Sequence, residues 1–265
     1  MVTITLESLG ARLGGRAVLR GIDAALTPGQ LVGVIGPNGA GKSTLLRAMT
    51  GLLRPAQGRV LIDGGDVLAL SAGDRARRIA YLPQGHTIHW PITVERLVAL
   101  GRLPHLGPMS RIGAGDQAAI AAALRRTDAA QLAPRVATEL SGGERARVLL
   151  ARALAVGAPA LMVDEPLASL DPGHQIDVMD VLAGEARGGA LVVAVLHDLT
   201  LAARYCDRLL LIDHGQMVAD GAPAAVLTAD RLRQVYGVVG LIDAKGTRPM
   251  VVPLERAINR PAAGE

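Results

Sequence analysis

The chain has 265 residues, half of them hydrophobic and 20% charged, which is enough apolar material for a sizeable core and excludes a disordered polymer. A formal net charge of +4 invites a nucleic-acid partner, but with no Phe and a single Trp the chain lacks rings for base stacking, and no nucleic acid is expected. The longest apolar runs are far too short to span a bilayer, and the lone cysteine, Cys206, cannot close an internal disulfide.

In chain order, "MVTITLESLG" alternates like a strand and lacks the layout of an export signal, so a cytoplasmic protein is expected. Short strands with turns at Gly14-Gly15 and Pro28-Gly29 fill the first 30 residues or so. "LVGVI" (31–35) reads as a buried strand, followed by a glycine-rich turn and by "STLLRAMTGLL" with helical periodicity. "RVLID" (59–63) is another strand, ending before Gly64-Gly65. From residue 86 the character changes: Pro104, Pro108 and Gly113 interrupt Ala- and Leu-rich segments such as "DQAAIAAALRRTDAA" (116–130). This predicts an inserted helical lobe over about 86–157.

A regular alternation follows. Helices are expected at 142–156 and 173–187 and over "LTLAARYC". Between and after them come the strands "ALMVD" (160–164), "ALVVAVL" (190–196) and "RLLLID" (208–213), then "GQMVADG" and a short tail over about 240–265. Strands alternating with helices predict one α/β domain over 1–265, with a mostly parallel sheet, an N-terminal antiparallel β region and the inserted lobe.

Lysine occurs only at Lys42 and Lys245 in a chain that otherwise uses arginine, which singles out Lys42 as a required compact charge. It sits in "GPNGAGKST" (36–44), a G-x-x-x-x-G-K-[ST] pattern with a strand before it and a helix after it. Gly36, Gly39 and Gly41, with Pro37, Asn38 and Ala40 between them, allow the backbone to wrap a phosphate and aim N–H groups inward. Lys42 then reaches the β- and γ-phosphates, Ser43 offers its hydroxyl to Mg²⁺, and Thr44 enters the helix. The competing reading, a glycine-rich turn with a surface lysine, leaves the placement of one of only two lysines unexplained.

"LMVDEP" (161–166) delivers two carboxylates at the end of an apolar strand, the edge at which open α/β sheets bind ligands. Asp164 is placed to hold Mg²⁺, and Glu165 to orient or deprotonate an attacking water. Without the phosphate loop, the same pair would read equally well as a helix cap with a first-turn charge. His197 ends another apolar strand and can assist Glu165 or meet a γ-phosphate, although "HDLT" also opens a helix that Asp198 can cap. Gln84, just after a strand, can join the Mg²⁺ shell or bond the water. His86, His89, His105, His174 and His214 show no ligand spacing and receive no role. "LSGGE" (140–144) presents a second anion-binding helix start about a hundred residues after the first.

The order "GPNGAGKST", Gln84, "LSGGE", "LMVDEP", "SLD" (169–171) and His197 resembles the ATPase subunit of an ABC transporter over nearly the whole chain. The resemblance implies a P-loop NTPase fold, ATP and Mg²⁺ as cofactors, and a head-to-tail dimer with a second copy of the chain. In such a dimer Ser141, Gly142, Gly143 and Glu144 clamp the γ-phosphate held by the other copy's Lys42, and Asp171 lies at the seam. "ITVERLVALGRLPHL" (92–106), residues 192–228 and "GTRPMVVP" (246–253) are similar to ATPases importing iron–siderophore, haem and cobalamin. That similarity implies membrane permease subunits as partners, indirectly a substrate-binding protein, and a peripheral position on the cytoplasmic face of the inner membrane. Two residues depart from the pattern: Leu13 stands where an aromatic stacks on adenine, with Arg16 nearby as a substitute, and Glu144 replaces a commoner Gln. The alternatives are an ABC ATPase of another transport class, or a non-transport one acting on nucleic acid or the ribosome.

Overall fold

A computed structural model describes residues 1–85, 87–107, 109–168, 170–243 and 249–257. His86, Pro108, Ser169 of "SLD", and the stretches 244–248 and 258–265 lie outside the described residues.

Strands β1 (Ile4–Leu13) and β2 (Arg16–Leu26) pair antiparallel across Gly14-Gly15, where both glycines take positive φ. Next come β3 (Leu31–Ile35), α1 (Lys42–Met49), β4 (Gln57–Ile62) and the two-residue β5 (Gly65–Asp66). The periodicity of "STLLRAMTGLL" overshoots α1. Thr50 closes the last turn through its N–H to the Leu46 carbonyl, and Gly51 at φ 68 turns the chain away. "RVLID" belongs to the N-terminal sheet, whose order is β2-β1-β4-β5.

The chain continues through α2 (Ala72–Arg78), β6 (Ile79–Leu82), α3 (Val94–Ala99), α4 (Ala114–Arg126) and α5 (Gly142–Leu154). Helix α4 starts two residues earlier and stops four residues before the expected end, because Asp128 adopts a left-handed φ of 47. Then follow β7 (Ala160–Asp164), α6 (Pro172–Arg187), β8 (Leu191–Val195), α7 (Leu199–Tyr205), β9 (Arg208–Asp213) and β10 (Gln216–Gly221). A hairpin of β11 (Val238–Asp243) and β12 (Met250–Arg256) ends the described chain, where the sequence reading expects only a tail.

The central sheet runs β10-β9-β3-β8-β7-β6, parallel except for the antiparallel edge strand β10. Both of its faces are covered, which is why β3, β8 and, up to Asp164, β7 are continuous apolar runs, buried at every position. The period-two pleat splits each strand between two cores. Leu31, Ile35, Leu161, Val163, Val192 and Ala194 face α3, α4, α5 and α6, whereas Val32, Val34, Met162, Val193 and Val195 face α1 and the N-terminal sheet. Burying each such Val, Leu, Ile or Met side chain contributes about 1.5–3 kcal/mol, so the sheet centre is rigid and the strand ends that carry the chemistry inherit that rigidity.

Helix starts follow the capping rules: Ser71, Thr93, Ser141, Asp171 and Asp198 each accept a backbone N–H of their own helix. The arginine cluster at 75–78 is largely consumed within the chain. Arg75 donates to the Leu70 carbonyl, Arg77 to Asp74 and to the Pro104 carbonyl, and Arg78 to Asp63. Cys206 is buried, and burial pushes its thiol up to about 12, as an inert core residue. Among the described residues no helix is long and apolar enough to cross a membrane.

Candidate functional site

The ends of β3, β6, β7 and β8 converge on a cleft of about 630 Å³ lined by Leu13, Val18, Asn38, Gly39, Lys42, Ser43, Gln84, Glu165 and His197, among others. Between β3 and α1 the phosphate loop turns sharply. Gly36 sits at φ 146, and a Cβ there would lie 1.9 Å from the Ile212 carbonyl oxygen, so no larger residue fits. Gly41, at φ 104, forms the start of α1 and leaves no side-chain cap, so the first amides of the helix stay available to an anion. Lys42 is 5% exposed and its Nζ donates to the carbonyls of Gly36 and Pro37, 2.8 Å each. Burial holds its ammonium below the usual lysine range, opposed by the charges of Glu165 and Asp164.

Ser43 Oγ donates to Asp164 Oδ1 at 2.9 Å, which joins the phosphate loop to the end of β7. Asp164 is 1% exposed; burial pushes its carboxyl above the usual range, and the Ser43 hydroxyl pulls it back. Tyr81, on β6, donates to Asp164 Oδ2 at 3.3 Å, and Arg47 adds positive charge nearby. Sequence patterns missed both residues, because Tyr81 meets Asp164 only once β6 and β7 lie side by side and Arg47 only once α1 packs by β7.

Glu165 lies between two of the expected partners. Gln84 Nε2 donates to its Oε2 at 2.7 Å, and His197 Nε2 is 2.8 Å from its Oε1. Its backbone occupies the left-handed region at φ 54, a conformation that costs a non-glycine residue about 1–3 kcal/mol and is found where function needs a fixed geometry.

The cleft lining does not include Ser141, Gly142, Gly143 or Glu144. These residues form the start of α5, with a reciprocal cap in which Glu144 N–H donates to Ser141 Oγ at 3.3 Å and Ser141 N–H to Glu144 Oε2 at 2.9 Å. The Ser141 N–H bond, above all, holds the Glu144 carboxyl below its ordinary range, and Arg135 Nη1 pairs with its other oxygen at 2.7 Å. His174, to which the sequence reading gives no role, binds Asp171 through Nδ1 at 2.8 Å and packs against Gly143, where an added Cβ would be 3.2 Å from its ring. Asp171 and the "LSGGE" helix start thus share one surface through His174.

The ABC transporter family profile matches residues 19–168, from β2 past Glu165. The chain belongs to the ABC transporter family. Its fold is that of the family's solved structures. It is 48% identical over 237 residues to the cobalamin import ATP-binding protein BtuD of Halobacterium salinarum, an alignment covering 89% of this chain and 59% of that protein. The chain therefore spans about 59% of that relative's length. It is 44% identical over 256 residues to the hemin import ATP-binding protein HmuV of Pseudomonas fluorescens, covering 94% of this chain and 99% of that one. Among solved structures it superposes with TM-score 0.82 and 26% identity on an ABC transporter described as of metal-chelate type, in an inward-facing conformation, covering 96% and 97% of the two chains.

Within this ABC cassette the cleft wall where the sequence reading expects the base is aliphatic: Leu13, 41% exposed, and Val18 line it. Leu13→Tyr should tighten ATP binding about fivefold or more, since stacking a base on an aromatic ring is worth about 1–3 kcal/mol. Nucleotide titration of the purified chain checks this, and an unchanged affinity would place the base away from Leu13.

Proposed function

We propose that this chain is the ATP-hydrolysing motor of an importer for a metal chelate, such as haem, a ferric siderophore or cobalamin, acting with membrane permease subunits and, through them, a substrate-binding protein. The observation that carries the motor reading is the pairing of Glu165 with both Gln84 and His197 at the mouth of the phosphate loop. The identity to cobalamin and hemin import proteins supports the cargo class.

Two copies would close head to tail, each offering Ser141, Gly142, Gly143 and Glu144 to the ATP on the other's Lys42. Supporting this, the cap at the start of α5 engages the Ser141 and Glu144 N–H groups but not those of Gly142 and Gly143, and this helix start stands outside its own chain's cleft. Asp171, tied to Gly143 through His174, would then lie at the seam.

Ser43 Oγ and the Asp164 carboxylate, 2.9 Å apart, are the hard oxygen donors that Mg²⁺ prefers, and Gln84 can complete the set through its amide oxygen. When bound, the ion neutralises charge shared by the β- and γ-phosphates. The chain's own groups do the rest. The phosphate-loop amides and Lys42 hold the γ-phosphate, Glu165 orients and deprotonates the water, and His197 fixes Glu165 from one side while Gln84 fixes it from the other.

Gln84 also explains how transport would report to hydrolysis. The segment after it, with α3 and α5, borders a groove of about 360 Å³ lined by Ile88, Trp90, Ile92, Leu97 and Leu149. We take this groove as the seat of a short cytoplasmic helix of the permease, whose movement would pull on Gln84 and therefore on Glu165. The peripheral position at the inner membrane follows from that docking.

Uptake tests the proposal. A strain lacking this protein should lose uptake of one of labelled haem, ferric siderophore or cobalamin, and regain it with the parent chain but not with Lys42→Ala. Normal uptake of all three would refute the cargo class and leave the ATPase reading standing.

A further inference from the structure

We infer that the C-terminal hairpin is a strap that sets the position of His197, with Thr200 as the positioning residue that fastens it; this rests on the role given above to His197. The hairpin of β11 and β12 is a separate two-stranded sheet, and such a unit has little stability of its own, so what it docks on defines it. It docks on α7. Thr200 Oγ1 donates to the Val251 carbonyl at 2.9 Å and accepts the Val251 N–H at 3.0 Å, so one hydroxyl satisfies both polar backbone groups of a strand residue. One turn along the same helix face, Arg204 Nε donates to the Pro249 carbonyl at 2.9 Å. Val251 is 5% exposed and closes the apolar part of the joint.

The end of α7 is pressed on β3, the strand that feeds the phosphate loop. At Gly33 of β3 a Cβ would lie 2.8 Å from Cys206 Sγ, so glycine is required for helix end and strand to approach this closely. Helix α7 is thus held between the sheet and the hairpin, and it is only seven residues long. Asp198 caps it by accepting the Leu201 N–H at 2.8 Å, and His197 is the residue immediately before that cap. A short helix moves as a rigid body, so slack at Thr200 is passed to His197, whose Nε2 must stay 2.8 Å from Glu165. The phosphate loop itself makes no bond to the hairpin through Thr200 or Arg204, so ATP binding should be spared.

Steady-state ATP turnover by the full-length chain separates the possibilities. Thr200→Val keeps the shape of the side chain and removes both bonds; kcat should fall about tenfold with KM for ATP within about twofold, as for a misplaced catalytic group. Thr200→Ser should restore the parental rate, and Arg204→Ala should reproduce part of the loss if the valine variant fails to fold. In a His197→Ala background, Thr200→Val should change kcat no further, because both act through one group. A parental kcat for Thr200→Val, or an equal loss with and without His197, would overturn the strap. A parental kcat for His197→Ala would instead overturn the role of His197 itself.

Discussion

Glu165→Gln is expected to lower kcat about a hundredfold or more, the contribution of a positioned general base, while ATP binding persists. The substitution is nearly isosteric. Gln84 can still donate to the remaining carbonyl oxygen, and His197 can still meet the side chain, so the geometry seen around Glu165 survives while its basicity is lost. With the γ-phosphate uncleaved, the contacts that favour the closed dimer remain, and the population shifts toward that state. Size-exclusion chromatography with Mg·ATP should show an accumulated dimer, and single-turnover assays should show the lost rate. A variant hydrolysing at the parental rate would remove Glu165 from the role of base.

Ser141→Arg is expected to abolish hydrolysis nearly as completely and to leave nucleotide binding intact. The chain's own cleft does not include Ser141, so no contact to its own ATP is removed. The substitution removes a cap worth about 1 kcal/mol and places a long side chain over the amides at the start of α5. If those amides serve a γ-phosphate held by another copy, turnover should fall about a hundredfold or more, the usual cost of losing preorganised donors to a transferring group. Nucleotide titration together with turnover assays checks this. A parallel loss of ATP affinity in the monomer would indicate that the residue serves its own site.

Much of this site is legible in the sequence, since local chemistry dictates it. The glycine spacing of the phosphate loop, the carboxylates closing an apolar strand and the polar cap at Asp198 each act within a few residues of themselves. Features built by distant segments were not legible. Gly36 is required because Ile212, on β9, brings its carbonyl to 1.9 Å from where a Cβ would stand, and nothing near Gly36 in sequence announces this. Tyr81 supports Asp164 only after β6 and β7 are ordered side by side, Arg47 only after α1 packs by β7, and His174 reaches Gly143 only after α5 and α6 are packed. The end of α1 also escaped the pattern, because apolar periodicity continues through Leu52 and Leu53 while Gly51 turns the backbone. Likewise the C-terminal residues read as a tail, because their partner, Thr200, lies 51 residues upstream of Val251.

The most direct test of the composite site is to mix two inactive variants, Lys42→Ala and Ser141→Arg. Each alone should hydrolyse ATP at a small fraction of the parental rate. In a mixed head-to-tail dimer, one of the two sites combines the intact Lys42 of the Ser141→Arg chain with the intact signature of the Lys42→Ala chain. Mixing should therefore restore a substantial share of parental turnover. Continued inactivity of mixtures shown to contain the mixed dimer would contradict the account, because it would mean that "LSGGE" serves its own chain's ATP.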